Sequence, residues 1–340
     1  MSTARVTFGL YYDFRCVDPD PAALTRRWQG ILEQVRWAEG LGFGSVWVSE
    51  HHFVDDAYAS STLTLAAALA ASTERMLLGT NVAVLPVHHP LRLAEEALTV
   101  DALSGGRLRL GVGLGYRAED LAPFGLSLGD RRARFEAGVA TLQRAFRGED
   151  IDGVHVSPRA VRAGGPELWI GALSPPAIER AARVADGFIC VLPDQLPTYV
   201  EARRRLGLDE GQVALGTQWI VAEDPERAFA EIGAHLLYQV NAYAEFGMFG
   251  PPGSVPPMED AQQLLELGFY RLLDGPAAAD ELATLIASGP VVDCFSWTLF
   301  PGEPLESAAA RLEYAAKTVI PAVRAASAPA GDATSRSPRS

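Results

Sequence analysis

Residues 46–53 read Val-Trp-Val-Ser-Glu-His-His-Phe, an apolar strand that ends abruptly in one carboxylate and two imidazoles. Adjacent ionisable groups at the end of a buried strand cost free energy unless a site there uses them. In barrels of alternating strands and helices, active sites form at the carboxyl ends of the strands. Glu50 and His51 are therefore candidate catalytic residues, and a solvated loop is the alternative interpretation. Because side chains alternate along a strand, at most one of the two imidazoles is expected to face the barrel interior.

The rest of the chain alternates between strand patterns and helix patterns. Predicted strands cover residues 6–11, 45–49, 77–85, 107–112, 168–171, 187–191, 213–221 and 291–299, and predicted helices cover residues 22–39, 62–72, 91–103 and 131–146. Eight strands separated by helices favour parallel pairing and an α/β fold, namely a (β/α)8 TIM barrel. A doubly wound open sheet is the alternative, because periodicity counts elements without showing that the sheet closes.

Two stretches depart from this alternation of strands and helices. Residues 247–275 begin Gly-Met-Phe-Gly-Pro-Pro-Gly-Ser-Val-Pro-Pro, which is too rich in Gly and Pro to continue an element. An excursion over the barrel mouth and a plain surface loop both fit this insertion before the last strand. Residues 327–340 have almost no apolar content and are expected to form a disordered tail. The predicted organisation is thus one barrel domain over residues 1–326, followed by the tail.

The composition excludes several classes of partner and site. A net charge of −13 over 340 residues argues against nucleic acid and against an anionic membrane. The three cysteines, Cys16, Cys190 and Cys294, are far apart and form no Cys-x-x-Cys motif, so neither a disulfide framework nor a structural zinc site is expected. No signal peptide is evident, and no apolar run approaches the roughly 20 residues that span a bilayer. A cytoplasmic protein is the expectation.

Glycines mark the end of the fourth predicted strand. Residues 104–116 read Ser-Gly-Gly-Arg-Leu-Arg-Leu-Gly-Val-Gly-Leu-Gly-Tyr, so Gly111, Gly113 and Gly115 leave one face without side chains. Glycine is unfavourable in a strand unless another backbone or a ligand comes close. A flat ring against this face and a tightly packed barrel end are the two interpretations. The motif lacks the final glycine of G-x-G-x-x-G, and no predicted helix follows directly, so it is not a dinucleotide fingerprint.

A candidate anion site lies at the junction of strand and helix in residues 170–176. Ser174 is a natural N-cap, and Pro175 suits the first position of a helix. Exposed amides at a helix N-terminus, together with the helix dipole, bind anions. Arg131 and Arg132 open another predicted helix and could add charge to a bound phosphate, although one of the two is expected on the solvated surface.

A second pair of histidines, His88 and His89, precedes Pro90 and is expected to help begin a helix. Asn81 is polar within an apolar strand, so it must find partners or face a ligand. No pair of histidines has the spacing of H-E-x-x-H, and no metal site is expected. The chain also lacks G-x-S-x-G and P-loop motifs, which disfavours hydrolase and NTPase functions.

Several blocks together resemble the bacterial luciferase-like flavin-dependent monooxygenase family. They are Glu-His-His-Phe at 50–53, Gly-Thr-Asn-Val-Ala-Val-Leu-Pro at 79–86, His-Pro-Leu-Arg-Leu-Ala-Glu-Glu at 89–96, the glycine block at 104–116, Trp-Ile-Gly-Ala-Leu-Ser-Pro at 169–175 and Ala-Asp-Gly-Phe-Ile at 185–189. Their order and spacing are similar to the family's across residues 5–190, and the closing strand and helix at 291–322 also fit.

The resemblance implies that reduced FMN binds at the barrel mouth and activates O2, through a C4a-peroxyflavin, to oxidise a small organic substrate. A separate NAD(P)H flavin reductase would supply the reduced FMN. His51 matches the family's active-site histidine, which Glu50 would support. Asn81 and Val82 fall where the family often has a non-prolyl cis peptide beneath the flavin ring. The other implied cofactor contacts are Gly113, Gly115, Tyr116, Arg131, Arg132, Leu173 and Ser174.

The chain also departs from the light-emitting members of this family. Gly113 replaces their reactive cysteine, Leu114 replaces an arginine, and Leu173 replaces an acidic residue of their phosphate turn, so light emission is not expected. Relatives that transfer hydride with a deazaflavin coenzyme have similar blocks and provide an alternative function. A non-catalytic flavin-binding subunit is a further alternative, against which the retained His51 argues. The resemblance also implies a homodimer through the helices at 62–72 and 91–103.

Overall fold

The computed structural model describes residues 6–326, in which strands and helices alternate as predicted. The strands are β1 (Thr7–Tyr12), β2 (Ser45–Val48), β3 (Leu77–Thr80), β4 (Ala83–Val84), β5 (Leu108–Gly113), β6 (Glu167–Gly171), β7 (Gly187–Cys190), β8 (Val213–Thr217), β9 (Trp219–Val221), β10 (Arg271–Leu273) and β11 (Val291–Trp297). The helices are α1 (Pro21–Leu41), α2 (Thr62–Ser72), α3 (Pro90–Ser104), α4 (Ala118–Leu121), α5 (Arg131–Phe146), α6 (Pro175–Val184), α7 (Leu196–Arg205), α8 (Pro225–Glu245), α9 (Gln262–Glu266), α10 (Gly275–Ala287) and α11 (Leu305–Ala326). The predicted disordered tail at 327–340 lies outside the described residues.

Parallel strands close into a barrel. Its order is β1, β2, β3, β5, β6, β7, β8 and β11, and β11 pairs back onto β1. The pairing of β3 with β5 completes the ring, and helices connect successive strands on the outside. The predicted (β/α)8 TIM barrel is therefore confirmed, and the open doubly wound sheet is excluded. None of the helices between residues 6 and 326 is long and apolar enough to cross a membrane.

Large and small side chains alternate between neighbouring strands inside the barrel. Trp47 on β2 is paired with Gly79 on β3, and Trp169 on β6 is paired with Gly187 on β7. A Cβ atom on either glycine would overlap the neighbouring indole ring. Both indoles are fully buried. The centre of the barrel is thus filled with side chains, as in other barrels of this size, and ligands are left to the mouth.

The prediction of one continuous strand over residues 77–85 was wrong. Asn81 and Val82, joined by a cis peptide bond, leave the ladder between β3 and β4. The two short strands pair with β5 in registers that differ by one residue, so the excursion is a local bulge. Apolar periodicity does not reveal such a bulge, because the residues on both sides remain buried.

The predicted strand over residues 213–221 is also divided. After β8 the chain turns at Gln218, whose side-chain amide donates from Nε2 to the carbonyl oxygen of Val191 at 2.8 Å. The following strand, β9, pairs with β10 in a separate parallel sheet of two strands. The last predicted strand, over residues 291–299, ends two residues early at Trp297.

The insertion at residues 247–275 lies between α8 and α10 and contains α9 and β10. It is tied to α8 by Asn241, whose side chain donates to the Met258 carbonyl at 2.9 Å and accepts from the Met258 amide at 2.8 Å. At its beginning, Met248 lines the cavity at the barrel mouth. The segment therefore contributes one wall residue, and its role as a cover over the site remains a prediction.

Candidate active site

A cavity of about 290 Å³ opens where the barrel strands end. Each residue selected from the sequence as a catalytic or cofactor contact lines it, with the exception of Arg132. Of the two adjacent imidazoles, His51 lines the cavity and His52 does not, as the alternation of side chains predicts. The closing of the barrel thus brings together residues that are widely separated in the sequence.

His51 forms a dyad with Asp120, a residue that the sequence analysis missed. The Nδ1 atom of His51 lies 2.6 Å from Oδ2 of Asp120, and its Nε2 atom lies 3.1 Å from the hydroxyl of Tyr116. The backbone amide of His51 donates to the Ala59 carbonyl at 3.0 Å, which fixes the loop that carries it. The imidazole is therefore held from behind by a carboxylate, and its other nitrogen faces the cavity wall.

Asp120 is buried and accepts further hydrogen bonds. The amide of His52 donates to its Oδ1 atom at 3.0 Å, and Nη1 of Arg117 donates to the same atom at 2.8 Å. Burial alone would raise the pKa of Asp120, but these bonds and the bond to His51 lower it overall. Asp120 is thus a carboxylate that can only accept, so the shared proton is on Nδ1 of His51. The position of Asp120 after the glycine-rich strand was the one available signal.

Glu50 anchors a second cluster beside the dyad. Its Oε1 atom lies 2.9 Å from Nε2 of His52 and 2.8 Å from Nε2 of His88, and its Oε2 atom accepts from Thr62 at 3.1 Å. Burial opposes ionisation of this carboxyl group, but the two imidazoles lower its pKa to about 2. Despite the cost of burial, Glu50 in turn raises the pKa of His88. Glu50 is therefore an ionised carboxylate that holds His52 and His88 in position at the end of the strand.

Among the described residues, the side chains of this same cluster form a group that could bind a metal ion. One ligand atom each from Glu50, His52 and His88 lies within 4.8 Å of the others. The sequence spacing did not indicate this grouping, because the three residues come from two different loops. The observed separations of 2.8 and 2.9 Å are hydrogen-bond distances.

The glycine face is packed against Val82. A Cβ atom on Gly113 would overlap the Val82 side chain, and one on Gly171 would lie 2.7 Å from Val82 Cγ1. On Gly111, a Cβ atom would overlap the carbonyl oxygen of Thr80. A tightly packed barrel end is therefore the immediate reason for these glycines. They allow the Asn81–Val82 segment to approach the neighbouring strands, and Val82 then forms part of the cavity wall.

The predicted anion site differs in one respect from the expectation. Helix α6 begins at Pro175 after Ser174, as predicted, but its first two residues are both prolines and have no amide hydrogen. The next amide, that of Ala177, already donates to the Ser174 carbonyl at 2.9 Å. Donors toward an anion would therefore come from the amide and hydroxyl groups of Ser174, and the helix amides that follow do not contribute.

The two neighbouring arginines have different surroundings. Arg131 lines the cavity, and its Nη1 atom donates to the carbonyl of Gly115 at 2.9 Å. Arg132 has a side chain that is 74% exposed and pairs with Glu136 one helical turn away. The structure thus does not bring Arg132 to the cavity, because adjacent residues of a helix point in different directions. This agrees with the expectation that one of the two is solvated.

Hydroxyl groups form another part of the wall that sequence reasoning did not find. The hydroxyl of Tyr58 lies 2.6 Å from Ser49 Oγ and 2.8 Å from the hydroxyl of Tyr243. Tyr243 lies on α8, 185 residues from Tyr58 in the sequence. Burial raises the pKa of both phenols well above the ordinary value. No motif or spacing in the sequence connects residues that are so far apart.

Comparisons with known proteins agree with this architecture. The model of the luciferase-like monooxygenase family matches residues 8–272, which is more than half of the chain. An F420-dependent glucose-6-phosphate dehydrogenase from Beutenbergia cavernae is 36% identical over 224 residues, covering 59% of this chain and 66% of that protein. The chain spans 39% to 66% of the length of the first curated relatives that it matches.

Solved structures share the fold across almost the entire chain. A monooxygenase from Streptomyces bottropensis has a TM-score of 0.76 at 24% identity, covering 93% of this chain and 99% of its own. The oxygenating constituent of 3,6-diketocamphane monooxygenase from Pseudomonas putida, solved in complex with FMN, has a TM-score of 0.72 at 18% identity, covering 93% and 98%. On the evidence of the family match and of the barrel, the chain belongs to the luciferase-like monooxygenase family.

Proposed function

We propose that the protein is a flavin-dependent monooxygenase that uses reduced FMN and O2 to oxidise a small organic substrate. The observation that supports this most directly is the dyad of His51 and Asp120 in the wall of a cavity at the barrel mouth. Relatives with known names include both monooxygenases and an F420-dependent dehydrogenase, so the family match supports oxidoreductase chemistry in general. The choice of FMN and of oxygen transfer is the proposal.

The residues of the cavity fit a flavin. Bound reduced flavin supplies the electrons that activate oxygen. Asn81 and Val82 would lie against its ring, where the glycines of the neighbouring strands make room for Val82. Arg131 and Ser174, whose hydroxyl forms no capping bond, would hold the phosphate. Leu173, Gly115 and Tyr116 complete the proposed contacts.

The dyad orients His51 so that its Nε2 atom can accept or return a proton. Because Asp120 accepts the Nδ1 hydrogen, the neutral imidazole has its lone pair on Nε2, where the hydroxyl of Tyr116 can donate. General acid–base catalysis by a positioned side chain typically contributes roughly 100-fold to 10,000-fold to the rate of an enzyme. The carboxylate also stabilises the imidazolium ion that forms if Nε2 takes up a proton.

Apolar side chains limit the access of water to the cavity. Val82, Met248 and Trp297 line it together with Tyr58 and Tyr116, whose rings pack against His51. Excluding water strengthens the hydrogen bonds inside a site and suppresses side reactions of reactive intermediates. We infer that Met248 is the contact through which the insertion at 247–275 helps to close the site.

Hydride transfer with a deazaflavin coenzyme is the second candidate function. The sequence relative from Beutenbergia cavernae, whose name specifies F420, supports it. A non-catalytic flavin-binding subunit is a third candidate, and the intact dyad argues against it because a silent subunit has no need of an oriented imidazole. A homodimer, a separate NAD(P)H flavin reductase and a cytoplasmic location accompany the proposal as expectations.

The test compares the two cofactors directly. Dissociation constants for reduced FMN and for reduced deazaflavin are measured without oxygen, and each complex is then mixed with O2 while the absorbance is followed. The oxygenase proposal expects bound FMN to be reoxidised in two phases, more slowly than free FMN. Tighter binding of the deazaflavin, with single-phase reoxidation of FMN, would transfer the assignment to hydride transfer. Binding of FMN that is tighter than that of the deazaflavin, with reoxidation in a single phase as fast as that of free FMN, would favour the non-catalytic flavin-binding subunit.

A further inference from the structure

Three hydroxyl groups form a continuous hydrogen-bonded chain in the wall of the cavity. We call Ser49, Tyr58 and Tyr243 the hydroxyl chain, in which the oxygen of Tyr58 lies 2.6 Å from that of Ser49 and 2.8 Å from that of Tyr243. The hydroxyl chain is next to the dyad of His51 and Asp120, because the ring of Tyr58 packs edge-on against His51 with centroids 4.8 Å apart. All of these side chains are buried, and all line the same cavity.

Counting protons shows that the hydroxyl chain has a donor to spare. Three hydroxyls carry three hydrogens, and the two bonds among them use two. The hydroxyl of Tyr11, which interacts with Ser49, Tyr58 and Tyr243, adds a fourth hydrogen to this group. A buried donor without an acceptor costs about 1–3 kcal/mol, so a hydrogen that the bonds within the hydroxyl chain leave over favours a ligand that presents an acceptor to the cavity.

The hydroxyl chain remains protonated at neutral pH. Burial is the main reason why the pKa of Tyr58 and of Tyr243 lies well above the ordinary value, and the charge of Asp13 raises both further. Burial likewise raises the pKa of Tyr11 to about 12. The hydroxyl chain therefore donates a hydrogen bond and does not act as a base.

The surroundings of the hydroxyl chain suit an apolar body. Trp297 packs against Tyr11 at 4.3 Å and against Tyr243 at 5.9 Å between ring centroids. Met248, whose thioether adapts to irregular shapes, lines the same cavity. A ligand here would bury rings or alkyl groups against these side chains and would offer its polar atom to the hydroxyl chain.

We propose that the hydroxyl chain binds the carbonyl oxygen of the substrate, and that the substrate is an apolar carbocyclic or aromatic ketone. A carbonyl oxygen has no hydrogen to donate, so it accepts the surplus hydrogen without adding another donor. This inference rests on the proposed function for the identity of the reaction. The recognition of a ketone by Ser49, Tyr58 and Tyr243 can nevertheless be tested without any turnover.

The test compares α-tetralone with tetralin, which is the same bicyclic framework without the carbonyl oxygen. Calorimetry gives the two dissociation constants for the full-length protein, with and without FMN, and infrared difference spectra give the stretching frequency of the bound carbonyl. We expect the protein to prefer α-tetralone by about tenfold, which corresponds to about 1.4 kcal/mol. The carbonyl frequency should fall on binding. Equal affinities, or no binding of either compound, would overturn the proposal.

Tyr58→Phe and Tyr243→Phe, tested separately, remove one hydroxyl each and keep the ring. Each is expected to abolish the preference for α-tetralone and to shift the carbonyl frequency back toward its value in hydrocarbon solvent. Tyr270→Phe is the matched control, because it removes a buried phenol that bonds to Gln239 at 2.7 Å away from the cavity. Ser49→Ala provides a third variant if either phenol proves necessary for folding.

The pattern of results separates this inference from the proposed function. If FMN fails to bind while α-tetralone is still preferred, the assignment of the cofactor fails and the hydroxyl chain stands. If FMN binds and both Phe variants keep the preference, the hydroxyl chain is not the carbonyl site and the inference fails alone.

Discussion

Oδ2 of Asp120 lies 2.6 Å from Nδ1 of His51, although 69 positions separate the two residues in the chain. The carboxylate sits behind the imidazole, and the phenol of Tyr116 lies on the opposite side at 3.1 Å from Nε2. One ionised group therefore determines which ring nitrogen carries the hydrogen and which one is left to act in the cavity. His51 lies in the segment after β2, and thus depends on a partner in the segment after β5.

Replacing Asp120 by Asn should reduce turnover without loosening the cofactor. The amide cannot stabilise an imidazolium ion, so we expect kcat with α-tetralone to fall about 100-fold while the dissociation constant of FMN stays within about twofold. His51→Ala should have a similar effect, and the double variant should be no slower, because the two residues act as one unit. Glu119→Gln, on the exposed side of the same short helix, is the control. Additive losses in the double variant would contradict the dyad.

Gly113→Ala should weaken flavin binding by pushing Val82 into the cavity. The new methyl group would overlap the Val82 side chain, and overpacking of this kind costs about 1–3 kcal/mol. We expect the dissociation constant of FMN to rise about tenfold, and Val82→Ala in the same chain to restore it in part. Gly40→Ala is the control, because its added Cβ contacts nothing within 4 Å. Unchanged affinity in Gly113→Ala would remove Val82 from the flavin wall.

The two neighbouring arginines should differ sharply in their effect on FMN. Arg131→Ala is expected to raise the dissociation constant of FMN about tenfold, since a charged hydrogen bond is worth roughly 1.5–3 kcal/mol. Arg132→Ala should leave it unchanged, because that side chain is solvated and paired with Glu136. Riboflavin, which lacks the phosphate, should bind both variants and the unmodified protein equally. A loss of riboflavin affinity in Arg131→Ala would show that Arg131 supports the ring or the loop and does not bind the phosphate.

The charge on Glu50 should make the protein sensitive to acid. Its pKa in the folded protein is about 2, below the ordinary value of 4.5, because His52 and His88 donate to it. A lowered pKa contributes stability that is complete above pH 4.5 and is lost as the pH falls toward 2. We expect a loss on the order of 3 kcal/mol across this window, read from urea denaturation midpoints.

Glu50→Gln should be less stable at neutral pH and should show a smaller decline across the same acidic window. The raised pKa of His88 reports the same contact, and its contribution is present at low pH and is lost as the pH rises through the folded value. Glu74→Gln, which is exposed, should follow the unmodified protein. An equally steep decline in Glu50→Gln would mean that other carboxyl groups cause the sensitivity to acid.

The order of strands and helices could be predicted because it rests on local patterns. The apolar strand before Glu50 and the proline that opens α6 are visible in short windows of sequence. The bulge at Asn81 and Val82 could not be predicted from periodicity, since both sides of it are buried, and only the resemblance indicated its cis bond. The two prolines of α6 were also visible, but their consequence for an anion site depends on counting the amides that remain.

The sequence by itself determined the alternation of strands and helices, the positions of the glycines after the fourth predicted strand, and the strand end that presents His51. These features follow from hydrophobic periodicity and from the steric freedom of glycine, both of which act over a few residues. Only the tertiary structure decided that Asp120 holds His51, that Glu50 braces two other histidines, and that Tyr243 joins Ser49 and Tyr58. Hydrogen bonds depend on the distance and direction between groups from different loops, and those are set when the barrel closes.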